Sequence, residues 1–178
     1  EAGKKELELT PVDLTKFLRV CGDYFASACS SKQVSFELSL PKLGGHDEQE
    51  VFIMGEVDSL EKVAFNYLSN ALKFTPSGGR IEFGLELVGG GPKRARIFVR
   101  DTGPGISAEG KTKLFQVFSQ VDESTTREYE GTGLGLALVK SLVEEMHGRV
   151  SVESEVGQGS TFAATFPLSD LDAFHESE

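Results

Sequence analysis

Positive charge is what this sequence has least of: 18 Lys and Arg stand against 28 Asp and Glu, a formal charge of −10 over 178 residues. No Lys/Arg block interrupts that balance. An electrostatic nucleic-acid or anionic-membrane surface is therefore excluded, because counterion release needs clustered positive charge. Long apolar runs are missing too: none approaches the roughly 18 residues of a membrane span, and the start EAGKKELELT carries no apolar signal core. The expectation is a soluble, cytoplasmic chain that contacts neither nucleic acid nor membrane. Cysteine is scarce, with only Cys21 and Cys29. On one helix they would lie about 12 Å apart, too far for a disulfide, and no Cys or His nearby completes a metal set. They read as buried thiols.

What is present is an ordinary globular composition, 39% hydrophobic and 26% charged, long enough to bury one core. Apolar residues from Val12 to Cys29 recur at helical spacing, predicting a helix over 11–31 with Thr10 before Pro11 as its start. Residues 34–40 alternate with period two and predict a strand. A polar turn, KLGGHDEQE, a short strand VFIMG and a second helix over 56–74 follow. Strands over 80–88 and 94–101 form a hairpin around GGGPK. From Asp101 to Gly135 no period is sustained, and so long an irregular stretch inside a compact domain suggests a functional lid or disorder. A third helix over 133–147 and strands over 148–155 and 160–167 complete the pattern.

The 20 glycines cluster unevenly. Asp101-Thr-Gly103-Pro-Gly105 follows a strand, and Gly131-Thr132-Gly133-Leu134-Gly135 opens a helix. Backbone N–H groups at a helix start, with the positive end of its dipole, suit an anion, and phosphate is the obvious candidate. It is not a P-loop, since no GxxxxGK[ST] occurs, and Leu136 stands where a dinucleotide fingerprint needs its third glycine. On the second helix Lys62, Asn66, Asn70 and Lys73 form a polar stripe. By itself this stripe more often means a solvated face. Beside phosphates, an Asn oxygen can serve Mg²⁺ and a Lys can neutralise charge.

Taken in order, NYLSNALKF, DTGPGI, Phe115 and Phe118, GTGLG and GQGSTF resemble the ATP-binding catalytic domain of sensor histidine kinases, within the superfamily of gyrase, mismatch-repair and chaperone ATPases. The resemblance covers residues 7–168. It implies an α+β fold, a two-layer sandwich of three main helices on a mixed, mostly antiparallel sheet with an ATP lid. It implies ATP and Mg²⁺ as ligands. Asn70 matches the Mg²⁺ ligand, and Asn66, Lys73 and Phe74 match nucleotide contacts. Asp101 matches the acceptor for the adenine amine, with Gly103, Gly105 and Ile106 shaping the pocket. Phe115 and Phe118 match the base of the lid, and Arg127 matches a lid residue that reaches the phosphates. Gly131, Thr132, Gly133, Leu134 and Gly135 match the lid's end, and Thr161 belongs to the last motif.

Two departures stand out. Hydrolytic members of the superfamily place a Glu one turn before the first Asn to orient water; here that residue is Lys62, which cannot accept a proton, and Glu61 points about 100° away. Glu130 replaces a frequent lid glycine. Of the three histidines, His46 lies in a polar turn, His147 at a helix stop and His175 in an acidic tail, and none carries a phosphoacceptor pattern. The expected function is binding of Mg-ATP and donation of its γ-phosphoryl group to a histidine on a separate dimerisation domain, for onward transfer to a response-regulator receiver domain. The isolated domain is expected to be monomeric and incapable of autophosphorylation, and its parent homodimeric. An ATP-sensing or scaffolding domain without kinase activity is the alternative, and an ATP-driven clamp is disfavoured by Lys62. The expected division is a linker end at 1–8, the catalytic domain at 9–168 and a tail at 169–178.

Overall fold

The computed structural model describes residues 7–43, 47–119 and 135–169. Strand β1 (Thr10–Asp13) leads into helix α1 (Leu14–Lys32), and strands β2 (Ser35–Ser39), β3 (Lys42–Leu43), β4 (Asp47–Glu48) and β5 (Phe52–Gly55) precede helix α2 (Val57–Phe74). Strands β6 (Arg80–Val88) and β7 (Arg94–Asp101) follow, then helices α3 (Ala108–Ser119) and α4 (Leu136–Glu145), then strands β8 (Arg149–Glu155) and β9 (Gly159–Pro167). The main sheet has five strands in the order β2-β6-β7-β9-β8. Its β2–β6 pairing is parallel and the other three are antiparallel. α1, α2 and α4 lie against one face, so the chain is a two-layer α+β sandwich of mixed, mostly antiparallel sheet and three main helices. The core between the layers is built from Leu18, Leu60, Tyr67, Leu68, Phe83, Ile97, Leu136 and Phe166, all nearly inaccessible to solvent.

The expected polar turn KLGGHDEQE holds the short pair β3–β4, the third helix is shorter than 133–147, and two further differences bear on the fold. Thr10–Asp13 is a strand paired with Phe52–Gly55 rather than the first turn of α1, and the helix starts after Asp13, whose carboxylate accepts from the N–H groups of Thr15 and Lys16 at 3.0 and 3.2 Å. A four-residue strand is too short to display a period, and its apolar Val12 fits the helical template as well. The second difference is α3, inside the stretch expected to be irregular. Ser107 Oγ caps its start by accepting from Gly110 N–H at 3.0 Å, and Leu114 is buried under it.

Cys21 and Cys29 are free and buried on α1. Burial, aided by the Glu61 carboxylate, pushes the Cys21 thiol up to about 11, which makes it a packing group rather than a nucleophile.

The sheet face away from the helices has its own arrangement. Phe98 on β7 lies flat against Gly84 of β6, where a Cβ would come within 2.3 Å of the ring. The Arg96 and Arg100 guanidinium groups stand 5.4 and 5.1 Å from its centroid, tied to Glu86 at 2.5 Å and Glu82 at 2.9 Å. Among the described residues, no helix is long and apolar enough to cross a membrane.

Candidate functional site

Helix α2, the end of β7 with the loop that follows it, helix α3 and strand β9 surround a cavity of about 380 Å³, lined by Asn70, Phe74, Asp101, Pro104, Gly105, Ile106, Ser107, Gly110, Lys113, Leu114, Ser160 and Phe162. Its size falls within the roughly 300–1,000 Å³ of small-molecule sites, and the mixture of apolar walls with a few convergent polar groups is the usual make-up of such sites. α2 is amphipathic: Leu60, Val63, Ala64, Tyr67, Leu68 and Ala71 go into the core. The same helical turn carries Asn70, itself 2% exposed, to the cavity edge. Tyr67 anchors the helix to the sheet, its hydroxyl donating to the Ala163 carbonyl at 3.0 Å. Its ring packs on Phe162, with centroids 5.6 Å apart.

Asp101 ends β7 and is buried. Its carboxyl accepts from Gly103 N–H at 2.9 Å and from the Ser160 backbone N–H. Burial raises its pKa above the ordinary 3.8, and those two hydrogen bonds oppose the rise. A buried carboxyl with fixed donors behind it and a cavity before it is oriented to accept from a ligand. The β8–β9 turn holds this wall in place. Gly157 N–H donates to Pro104 O at 2.8 Å, and the Ser154 hydroxyl links β8 to Ile106 N–H at 2.8 Å and to Gly159 O at 3.0 Å.

Asn66 sits one turn before Asn70 and accepts from its Nδ2 at 3.3 Å. Against Asn66 lies Gly135, the residue before α4, in the left-handed conformation at φ 51°; a Cβ there would stand 2.2 Å from Asn66 Nδ2. Only glycine lets the start of α4 approach α2 so closely. The helix N-terminus and both asparagines therefore meet at one end of the site.

Of the residues expected from sequence, Asn70, Phe74, Asp101, Gly105 and Ile106 line the cavity, and Asn66, Gly103 and Gly135 flank it. Lys73 does not line it. Its ammonium lies 5.6 Å over the Phe74 ring, beside a neighbouring cleft shared with Lys32, Thr102 and Gly103. Thr161 is a correction: it lies on the opposite sheet face, paired with Arg100, whose Nε donates to its hydroxyl at 3.4 Å. Strand alternation puts Ser160 on the Phe162 side instead. Parity with the obviously core-facing Phe162 was the available signal. Pro104, Ser107, Lys113 and Leu114 also line the cavity and carried no signal without α3. Phe115 and Phe118 lie on the backbone of α3, but their side chains, like Arg127, Gly131, Thr132, Gly133 and Leu134, lie outside the described residues; so do His46, Glu130 and His175. His147 is described, exposed at the end of α4 with its N–H donating to Glu144 O at 3.0 Å.

The cavity has relatives. A family described as "Histidine kinase-, DNA gyrase B-, and HSP90-like ATPase" matches residues 55–170. The autoinducer 2 sensor kinase/phosphatase LuxQ of Vibrio parahaemolyticus is 36% identical over 174 residues, 97% of this chain and 20% of that protein. The circadian input-output histidine kinase CikA of Synechococcus elongatus is 37% identical over 171 residues, 96% of this chain and 22% of its own length. The chain thus spans about one fifth of these relatives. Among solved structures, full-length ShkA in complex with AMPPNP superposes with a TM-score of 0.72 at 30% identity, over 94% of this chain and 33% of that one. The catalytic domain of histidine kinase ThkA shares the fold, with a TM-score of 0.70 at 23% identity over 90% of this chain and 96% of that one. By the family match and by these relatives, the chain belongs to the histidine kinase-, DNA gyrase B- and HSP90-like ATPases, as a catalytic domain of the sensor histidine kinase kind.

Proposed function

We propose that this domain, residues 9–168 between a linker end and a tail, binds Mg-ATP and donates its γ-phosphoryl group to a histidine on a separate dimerisation domain of the same sensor kinase. From there the group would pass to an aspartate of a response-regulator receiver domain. The observation that carries the reading is the Asp101 carboxyl, buried at the end of an apolar cavity and held by two backbone N–H groups. Its free acceptor capacity suits the exocyclic amine of adenine, with Phe74, Ile106 and Phe162 as apolar walls for the ring.

At the other end, Asn66, Asn70 and the start of α4 suit the phosphates, as free N–H groups of a helix start suit anions. The donor set fits Mg²⁺ only in company. Among the described residues no cluster of three His, Cys, Asp or Glu exists to hold a metal alone. Mg²⁺ commonly takes one or two protein oxygens, waters and phosphate oxygens, and Asn70 would supply one such oxygen. When bound, the ion would neutralise phosphate charge. Lys62 is exposed on α2, and its ammonium cannot take a proton from water, which favours transfer to a protein acceptor over hydrolysis.

Titration calorimetry tests the binding step. ATP should bind in the presence of Mg²⁺, GTP far more weakly, and Asp101→Asn should abolish detectable ATP binding in a protein that keeps its fold. Transfer is tested with γ-labelled ATP: the purified domain alone should take up no label, and addition of the parent's dimerisation domain should label that partner on histidine. ATP binding with no transfer to the added partner would establish the sensing role instead. Stable labelling of the isolated domain, lost on replacing one of its histidines, would overturn the reading.

A further inference from the structure

Ser154 and Ser160 face each other across β8 and β9 at the ligand end of the sheet, in register, with their hydroxyl oxygens 2.8 Å apart and both residues 7% exposed. Ser160 lines the nucleotide cavity and Ser154 does not. Ser154 Oγ has three neighbours: Ile106 N–H at 2.8 Å, Gly159 O at 3.0 Å and Ser160 Oγ.

A serine hydroxyl has one proton to give and two lone pairs to receive with. Ile106 N–H fills one lone pair of Ser154. If Ser154 gives its proton to Gly159 O, its second lone pair is left for the Ser160 proton, and all three contacts become hydrogen bonds. If Ser154 instead gives its proton to Ser160, the Gly159 carbonyl loses this donor and the Ser160 proton is left over. In so buried a place an unmade bond is costly, so the first arrangement prevails. Ser160 has then spent its proton on Ser154 and offers the cavity lone pairs only, beside the acceptor Asp101.

We propose that Ser154 is a specificity-positioning residue: by taking the Ser160 proton it keeps that wall of the site acceptor-only, so that a purine bearing a 6-amino group is admitted and one bearing a 6-oxo group is rejected. This rests on the ATP reading above and goes beyond it, because it assigns part of the base selectivity to a side chain that does not touch the base. In Ser154→Ala the Ser160 hydroxyl is released and can rotate to donate to a 6-oxo group, and Ile106 N–H loses its partner. In Ser154→Thr the hydroxyl is retained.

The experiment is calorimetric titration of the domain with Mg-ATP and Mg-ITP, which differ at the 6-position. The unaltered protein should prefer ATP. Ser154→Ala should reduce the ATP-to-ITP affinity ratio about tenfold, the scale of one buried hydrogen bond, and Ser154→Thr should restore it. Ser160→Ala should reduce the ratio as well, and adding Ser154→Ala to it should reduce the ratio no further. A merely structural Ser154 would weaken both nucleotides equally, so an unchanged ratio in a folded Ser154→Ala variant overturns the proposal. So does an unchanged ratio in Ser160→Ala, which decides the matter if Ser154→Ala fails to fold. Absence of ATP binding by the unaltered domain defeats the ATP reading itself, a result distinct from an unchanged ratio.

Discussion

Replacing Gly159 by alanine isolates how tightly the strand beneath the site is closed. Gly159 has φ 90°, and an added Cβ would lie 1.9 Å from the Asp101 carbonyl oxygen. Backbone strain at such an angle costs about 1–3 kcal/mol. Carbon–oxygen contacts between strands settle near 3.3 Å, so β7 and β9 must part by more than about 1 Å at this point. That separation strips the Ser160 N–H from the Asp101 carboxyl, at about 1–3 kcal/mol for a buried group left without its partner. The sum is about 2–6 kcal/mol, and at about 2–4 °C per kcal/mol for a chain of this length the melting temperature should fall by roughly 5–20 °C. Gly157, two residues earlier, serves as the control: its φ of 83° is as unfavourable, but nothing lies within 4 Å of an added Cβ. Gly157→Ala should therefore show the strain alone. The two variants are compared by thermal unfolding, with ATP titration as the second readout. Gly159→Ala should lose nucleotide affinity, because the Asp101 carboxyl is no longer held, whereas Gly157→Ala should keep it. Equal melting temperatures and equal affinities for the two would refute the idea that closure of β7 on β9 positions Asp101.

Other substitutions probe the remaining links. Asn70→Ala should weaken binding of Mg-ATP more than binding of ATP in EDTA; equal losses in calorimetry under the two conditions would make Asn70 a structural residue only. Tyr67→Phe removes a buried donor to Ala163 O and should cost about 1–3 kcal/mol in denaturant unfolding; burial pushes the Tyr67 phenol up, so this cost should be constant from pH 5 to pH 9. For Asp101 the sign runs the other way from an ion-paired carboxylate. Between 3.8 and its raised folded value the folded state binds more protons than the unfolded one, so its contribution to ligand-free stability is greatest below that window and is lost as pH rises through it. Asp101→Asn should remove that pH dependence; an identical pH profile in melts of both proteins would show that burial does not perturb this carboxyl.

β6 and β7 were legible because each carries its Arg and Glu residues on one face. Phe83, Leu85, Ile97 and Val99 point inward while Glu82, Glu86, Arg96 and Arg100 point out, an alternation that fixed β6 and β7 to the residue. α1 was legible from its apolar stripe but its start was not, because the Asp13 cap competes with Thr10-Pro11 and β1 gains its stability from β5, whose paired residues lie 39 to 45 positions away in sequence. α3 was hidden by Gly110 and by hydroxyl residues at Ser107 and Thr112, which make local bonds that a propensity argument counts against a helix. Of the site, Asp101 and Asn70 were readable as motif residues. Ser160 was not, since its neighbour Thr161 has the same chemistry and only the register with Val99 and Phe162 separates the face that lines the cavity from the one that meets Arg100.

The pairing of Gly84 with Phe98 bears on why two layers suffice. A sheet with helices on one side must do something with its other side, and an aromatic ring there would ordinarily invite a third layer or a second molecule. By giving up a side chain on β6, the fold sinks the ring of β7 into the sheet until only 4% of Phe98 is exposed, and two ion-paired guanidinium groups roof what remains. Among the described residues, the ring at the back of the domain is thereby kept from solvent by the side chains around it. Enlarging Gly84 would lift that roof and turn a solvent-facing wall into an adhesive one, long before it disturbed the distant cavity.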